Sequence, residues 1–137
     1  MPANTIPIFP LRPRVEFGNT VITGNTLLDG TGTVVIIYSQ LNSDGARVDY
    51  VRVKNTGTAV ATVFRVFVNN GSGTNTASNN ALVADQTIAA YTLSQTAAAA
   101  DYVIPLGINL PIGYRLTATV GTTVANALAV TVFAGEY

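Results

Sequence analysis

The sequence of 137 residues predicts an all-β protein: a single antiparallel β-sandwich of about eight strands, with an extended N-terminal arm. Three observations lead there. Short runs rich in Val, Ile, Thr, Phe and Tyr recur along the chain, clusters of Gly, Asn, Ser and Asp separate them, and four of the six prolines crowd the first thirteen residues. The expected organisation is an arm over 1–13 and a sandwich domain over 14–137.

The arm comes first. Pro2, Pro7, Pro10 and Pro13 fix φ and remove the backbone donors that helices and inner strands need. Between them stand Ile6, Ile8, Phe9 and Leu11, side chains too apolar for a solvated tail. Ile6, Pro7, Ile8, Phe9, Pro10 and Leu11 are therefore the candidate protein-contact residues, expected to dock on another subunit, with folding back over the chain's own sandwich as the alternative.

Strands are expected next at 15–17 and 21–23, flanking Gly18-Asn19, and then at 33–39 after Asp29-Gly30-Thr31-Gly32. Asn42-Ser43-Asp44-Gly45 is a strong turn signal ahead of a run over 47–55. In the run over 60–68, Phe64, Val66 and Val68 oppose Val63, Arg65 and Phe67, so both faces are apolar. Such a strand is central, or turns one face to a neighbouring subunit. Residues 69–80, NNGSGTNTASNN, are small and polar and read as a long exposed loop, with Asn69, Asn70, Ser72, Thr74, Asn75 and Asn79 as candidate recognition residues. Runs over 82–90, 102–106, 114–120 and 128–134 complete the set. Alternation over 114–120 places Tyr114, Leu116, Ala118 and Val120 inside and Arg115, Thr117 and Thr119 outside. Ala97 to Ala100 has high helix propensity but is too short for more than one marginal turn.

Only 10% of the residues are charged, against about 25% in an average soluble protein. Seven basic residues balance seven acidic ones. No basic stripe can neutralise many phosphates, which argues against a nucleic-acid partner. Near-zero charge and a Thr/Asn-rich surface suit a subunit that ends packed against others. There is no apolar run of the length that spans a bilayer, and the N-terminus lacks the basic and apolar regions of a secretory signal. No membrane partner is expected, and assembly in a host cytoplasm is.

Catalytic chemistry is poorly provided for. With no His and no Cys, Ser/His and Cys/His nucleophilic arrangements are excluded and thiolate metal sites cannot form. The acids Glu16, Asp29, Asp44, Asp49, Asp85, Asp101 and Glu136 are scattered, and Asp29 and Asp44 stand in turn contexts. Asp29-Gly30-Thr31-Gly32-Thr33 lacks the Lys-Ser/Thr of a phosphate-binding loop, and no calcium-loop string occurs. The expectation is a protein without catalytic residues, cofactor or metal. The aromatic residues could line a sugar-binding face, but the chain has no Trp, the strongest stacking platform.

Three stretches, MPANTIPIFPLRP at the start, RVFVNNGS over Arg65 to Ser72, and LPIGYRLTATVGTTVANALAVTVFAGEY over Leu110 to Tyr137, resemble a group of small virion structural proteins of tailed bacteriophages and prophages. The most specific element is Leu110-Pro111-x-Gly113-Tyr114-x-Leu116, followed by Gly121-Thr122-Thr123-Val124-Ala125 and a terminal Gly135-Glu136-Tyr137. The resemblance implies a phage particle component of the β-sandwich or jelly-roll-like kind, either a capsid decoration (cement) protein or a tail- or neck-associated one. Proteins of the decoration type commonly sit as trimers at capsid threefold points, so the implied partners are the major capsid protein or other virion proteins and further copies of the chain. A receptor- or glycan-binding module reading its ligand through 69–80 is the rival class.

Overall fold

The computed structural model describes residues 10–39, 44–126 and 128–137. Eight strands build it: β1 (Arg12–Val21), β2 (Val35–Ser39), β3 (Ala46–Asn55), β4 (Thr62–Asn69), β5 (Asn80–Ile88), β6 (Tyr102–Leu110), β7 (Arg115–Val120) and β8 (Leu128–Glu136). They form two antiparallel sheets, ordered β1-β8-β3-β6 and β2-β7-β4-β5. The chain changes sheet at every connection except β4 to β5 and so interleaves two Greek keys, which is jelly-roll topology. The all-β sandwich of eight strands read from the sequence is the fold observed.

The core lies between the sheets and is built by alternation. Along β8, Leu128, Val130 and Val132 are buried while Ala129, Thr131 and Phe133, which alternate with them, are not; β3 contributes Ala46, Val48, Val51 and Val53. From the opposite sheet Phe64 and Val66 of β4 and Leu116, Ala118 and Val120 of β7 meet them, paired in register as Phe64 with Val120 and Val66 with Ala118. β3 keeps its faces straight across a bulge at 48–50, which inserts Asp49 and explains why Val48 and Val51 both point inward.

Three expectations need correction. Residues 15–17 and 21–23 are not two runs about a Gly-Asn turn but one strand, β1, paired with β8 along its length. The register shifts between Glu16 and Asn19, and Gly18 takes φ +87°, so the glycine serves a bulge rather than a reversal. Pairing also begins at Arg12, so Arg12 and Pro13, assigned above to the arm, belong to the sheet.

The third concerns the outer face of the β2-β7-β4-β5 sheet. Thr117 and Thr119, expected in solvent, are buried, as is Phe67 beside them. Their cover is the chain's own connection between β1 and β2. Gly24 bridges to Val120, the Asn25 amide donates to the Val120 carbonyl at 2.7 Å, and Arg65 donates to the Asn25 carbonyl at 3.1 Å. Gly30, at φ +76°, lies so close that a Cβ there would stand 2.6 Å from Asn80 Cβ and 3.1 Å from Phe67 Cδ1. Asn25 braces the connection, donating from Nδ2 to the carbonyls of Thr31 and Thr33 and accepting the Leu27 amide. Asp29 closes a small turn on Thr31, and these hydrogen bonds hold its carboxyl below the usual range. The second apolar face of β4 is thus satisfied within the chain, and it no longer argues for a neighbouring subunit.

The Thr117 and Thr119 hydroxyls under this cover have no hydrogen-bond partner among the described residues. A buried hydroxyl left unpaired is destabilising, and an isosteric methyl removes the penalty. Thr117→Val and Thr119→Val are each expected to leave stability unchanged or raise it by about 1 kcal/mol in urea unfolding. A loss of that size in either would show that the hydroxyl makes a bond the geometry does not.

Candidate assembly surface

The outer face of the β1-β8-β3-β6 sheet carries a row of apolar side chains that crosses all four strands. Pairing aligns Val15 of β1 with Phe133 of β8, Phe133 with Tyr50 of β3, and Tyr50 with Pro105 of β6. The Phe133 and Tyr50 rings stack at 4.6 Å between centroids and 23° between planes. With strands about 4.8 Å apart the row is about 14 Å long. Val15 and Pro105 are exposed, and Phe133 and Tyr50 are half-buried. Val103 extends the apolar area on β6, and Phe17 extends it on β1.

Ion pairs border the row on both sides. Arg47 bonds Asp49 through Nε at 3.2 Å, and Arg52 meets Asp101 with two nitrogens on two oxygens. The Arg52 guanidinium holds the Asp101 carboxyl below the usual range by hydrogen bonding first and charge second, so both stay ionised and paired at neutral pH. The charges nearest the row are already satisfied, which lowers the cost of covering it.

At one end of this face the arm is rooted. The Leu11 amide donates to the Glu136 carbonyl at 2.8 Å, and Pro10 lies over Gly135, where a Cβ would come within 2.4 Å of Pro10 Cβ. Of the six arm residues singled out in the sequence, Ile6, Pro7, Ile8 and Phe9 lie outside the described residues. Pro10 and Leu11 are exposed, Leu11 at 80%. Beneath the root, Glu136 is buried and accepts from Arg14 at 2.7 Å and from the Tyr38 hydroxyl at 3.4 Å. Arg14 also pairs with Glu16 and lies 5.6 Å from the Tyr38 ring centroid. Burial, and then the Glu136 charge, push the Tyr38 hydroxyl up to about 12, so it remains a neutral donor. The acid of the terminal Gly-Glu-Tyr motif thereby ties the last strand to β1 and β2. The sequence marked this motif but not its clamp, because the partners stand about a hundred residues away.

The 69–80 segment is less open than its composition suggests. Asn69 is fully buried and serves as a hub: its Nδ2 donates to Asn80 Oδ1 at 2.7 Å, and its Oδ1 accepts from the Gly71 amide at 2.9 Å and Arg115 Nε at 2.8 Å. Asn79 and Asn80 donate to the carbonyls of Gly73, Thr74 and Thr76, and a single 3-10 turn spans Ala77–Asn79. Asn69 is therefore not available to a ligand, contrary to expectation. Asn70, Ser72 and Asn75 are exposed, while Thr74 and Asn79 are half-buried. Gly71, at φ +90°, packs on the Gly113 carbonyl, joining this loop to the Pro-x-Gly turn before β7.

Among the described residues no three His, Cys, Asp or Glu side chains gather where they could hold a metal ion. Nor, among the described residues, is any helix long and apolar enough to cross a membrane.

No family model and no curated protein matches the sequence. Among solved structures, a chain of the cyanophage Pam1 capsid asymmetric unit is similar over 98% of this chain and 92% of its own length, at 20% identity and a TM-score of 0.46. Chains of infectious bursal disease virus, Gx and Gt strains, are similar over 93% of this chain, at 12% and 15% identity and TM-scores of 0.37 and 0.31. The chain spans 33% and 38% of those two. No functional residue is carried over from any of them.

Proposed function

We propose that the protein is a non-enzymatic structural subunit of a virion, and within that class a capsid decoration protein that binds the major capsid shell as a homotrimer. The observation that carries this reading is the concentration of exposed apolar side chains along the edge strand β1 and at the residue that precedes it. Leu11 and Phe17 are the most exposed large apolar residues described, at 80% and 74%, and Val15 lies between them at 50%. A monomer gains nothing from such an edge, whereas a docking partner does. The resemblance of the arm and of the last strands to phage virion proteins agrees with it, as does a sequence without His or Cys. The glycan- or receptor-reading alternative loses Asn69 from its surface, and the network about Asn69 gives the rest of that loop a structural role.

Microscopy of virions carrying a tagged copy tests the reading. Label on the head is expected; label on the tail or neck transfers the protein to the tail-associated class, and unlabelled particles reject both. Replacing Leu11 and Phe17 together with Ser should remove contacts worth about 1.5–3 kcal/mol each, stripping the protein from particles at an unchanged thermal midpoint. Attachment should vary little between low and moderate salt, because the chain carries only seven basic residues and Arg47 and Arg52 of the adjoining sheet face are paired within the chain. A fall of orders of magnitude would place the contact elsewhere.

A further inference from the structure

We propose that Asn70 is a self-modification site, an Asn-Gly deamidation centre whose rate is set by the buried Asn69 amide beside it. The site is the same whatever assembly the chain joins.

Asn70-Gly71 is the single Asn-Gly pair of the sequence. Its reactivity has a steric origin: with no Cβ on the following residue, the backbone nitrogen at 71 lies open to the Asn70 side chain. Hydroxide removes the Gly71 amide proton, and the nitrogen attacks Asn70 Cγ. The N–Cγ bond forms and the Cγ–Nδ2 bond breaks; Nδ2 takes a proton from water and leaves as ammonia, and a succinimide remains. Water then adds to either ring carbonyl and opens the ring to aspartate or to isoaspartate. Solvent supplies every reagent, and Asn70 is exposed to it.

The folded loop engages both reacting groups. The Gly71 N–H donates to Asn69 Oδ1 at 2.9 Å, so losing its proton means losing that bond. The same Oδ1 accepts from Arg115 Nε at 2.8 Å, and because a guanidinium only donates, Arg115 fixes which end of the Asn69 amide faces Gly71. The Asn70 carboxamide is held at both ends, its Oδ1 accepting from the Ser72 amide at 3.1 Å and its Nδ2 donating to Asn79 Oδ1 at 3.3 Å. Behind them Gly71, at φ +90°, lies against the Gly113 carbonyl, where a Cβ would come within 2.6 Å. Ring closure requires the Asn70 side chain to swing off its partners and the next peptide plane to turn, so it proceeds from a locally opened loop. Asn69, fully buried and bonded to three elements, sets how often that opening occurs.

Conversion is one-way. A carboxylate at 70 has no donor for Asn79 Oδ1, so either Asn79 turns and gives up its bond to the Gly73 carbonyl or the contact opens. The new charge also falls on a chain whose seven basic residues balance seven acidic ones.

Mass spectrometry of the full-length protein held in mildly alkaline buffer reads the conversion of amide to acid, peptide by peptide. In unfolding urea, Asn70 should convert ahead of every other Asn, and in the folded parent it should convert about tenfold or more slowly. Folded Asn69→Ala should recover most of that difference, while its rate in urea matches the parent's. Asn79→Ala, which leaves the Asn69 amide in place and frees Asn70 Nδ2, should give a smaller, several-fold rise, and it carries the test if Asn69→Ala does not fold. Equal rates for the folded and unfolded parent overturn the proposal. So does a folded Asn69→Ala as slow as the parent, an Asn79→Ala without effect, or another Asn converting before Asn70.

Discussion

Replacing Phe64 with Ala is expected to cost about 3–5 kcal/mol, a large part of the roughly 5–15 kcal/mol that holds a domain of this kind together. The ring is fully buried on β4, which has β7 on one side and β5 on the other, and it faces the β3 and β8 valines across the sandwich. Both neighbouring strands are paired with β4 on either side of Phe64, unbroken on the β7 side and with one bulge, between Val66 and Phe67, on the β5 side, which limits collapse into the space. The cavity would therefore persist, and its cost adds to the lost transfer energy. A urea series should show the midpoint fall with the slope unchanged. Val60, just before the same strand and 53% exposed, provides the control: Val60→Ala should stay within about 0.5 kcal/mol. A loss below about 1 kcal/mol for Phe64→Ala would mean that the two sheets do not close on each other as described.

The fold was legible because alternation along single strands decides it. Leu128, Val130 and Val132 against Ala129 and Thr131 need no distant partner to be read, and neither does the Asp44-Gly45 signal before β3, where Gly45 takes φ +91°. What escaped depends on residues far apart in sequence. Gly18-Asn19 suits a turn and a bulge equally, and only the β8 neighbour selects the bulge. Thr117 and Thr119 have the polarity of an outer face, and their burial is imposed by residues 22–34, ninety positions earlier, lying across them. The acids failed in the opposite direction. Glu136 was one of several scattered carboxylates until Arg14 and Tyr38 gathered around it. The arm showed its chemistry in the sequence, but its rooting on Gly135 depends on a closeness that no periodicity encodes.

Asn69→Ala is expected to be the most damaging change in the polar loop, at about 2–4 kcal/mol. Composition alone ranks Asn69 with Asn70 and Asn75 as an exposed amide. Burial separates them, since Asn69 is fully covered and the other two are exposed. Its amide joins three elements: β5 through Asn80, the loop through the Gly71 amide, and β7 through Arg115. Truncation to a methyl leaves each of those groups short of a partner, and hydrogen bonds to a charged group are worth about 1.5–3 kcal/mol against about 0.5–1.5 for neutral ones. Arg115 retains its bond to the Ser72 carbonyl, which keeps the sum toward the lower end of the range. The loop should then open locally before the sandwich unfolds, so limited proteolysis ought to cut within 70–79 in the variant and spare the parent protein. Asn75→Ala, which removes no described contact, should stay within about 0.5 kcal/mol. If Asn69→Ala were neutral for stability and proteolysis, the hub would be wrong, and Asn69 would return to the surface residues from which a ligand-reading loop could be built.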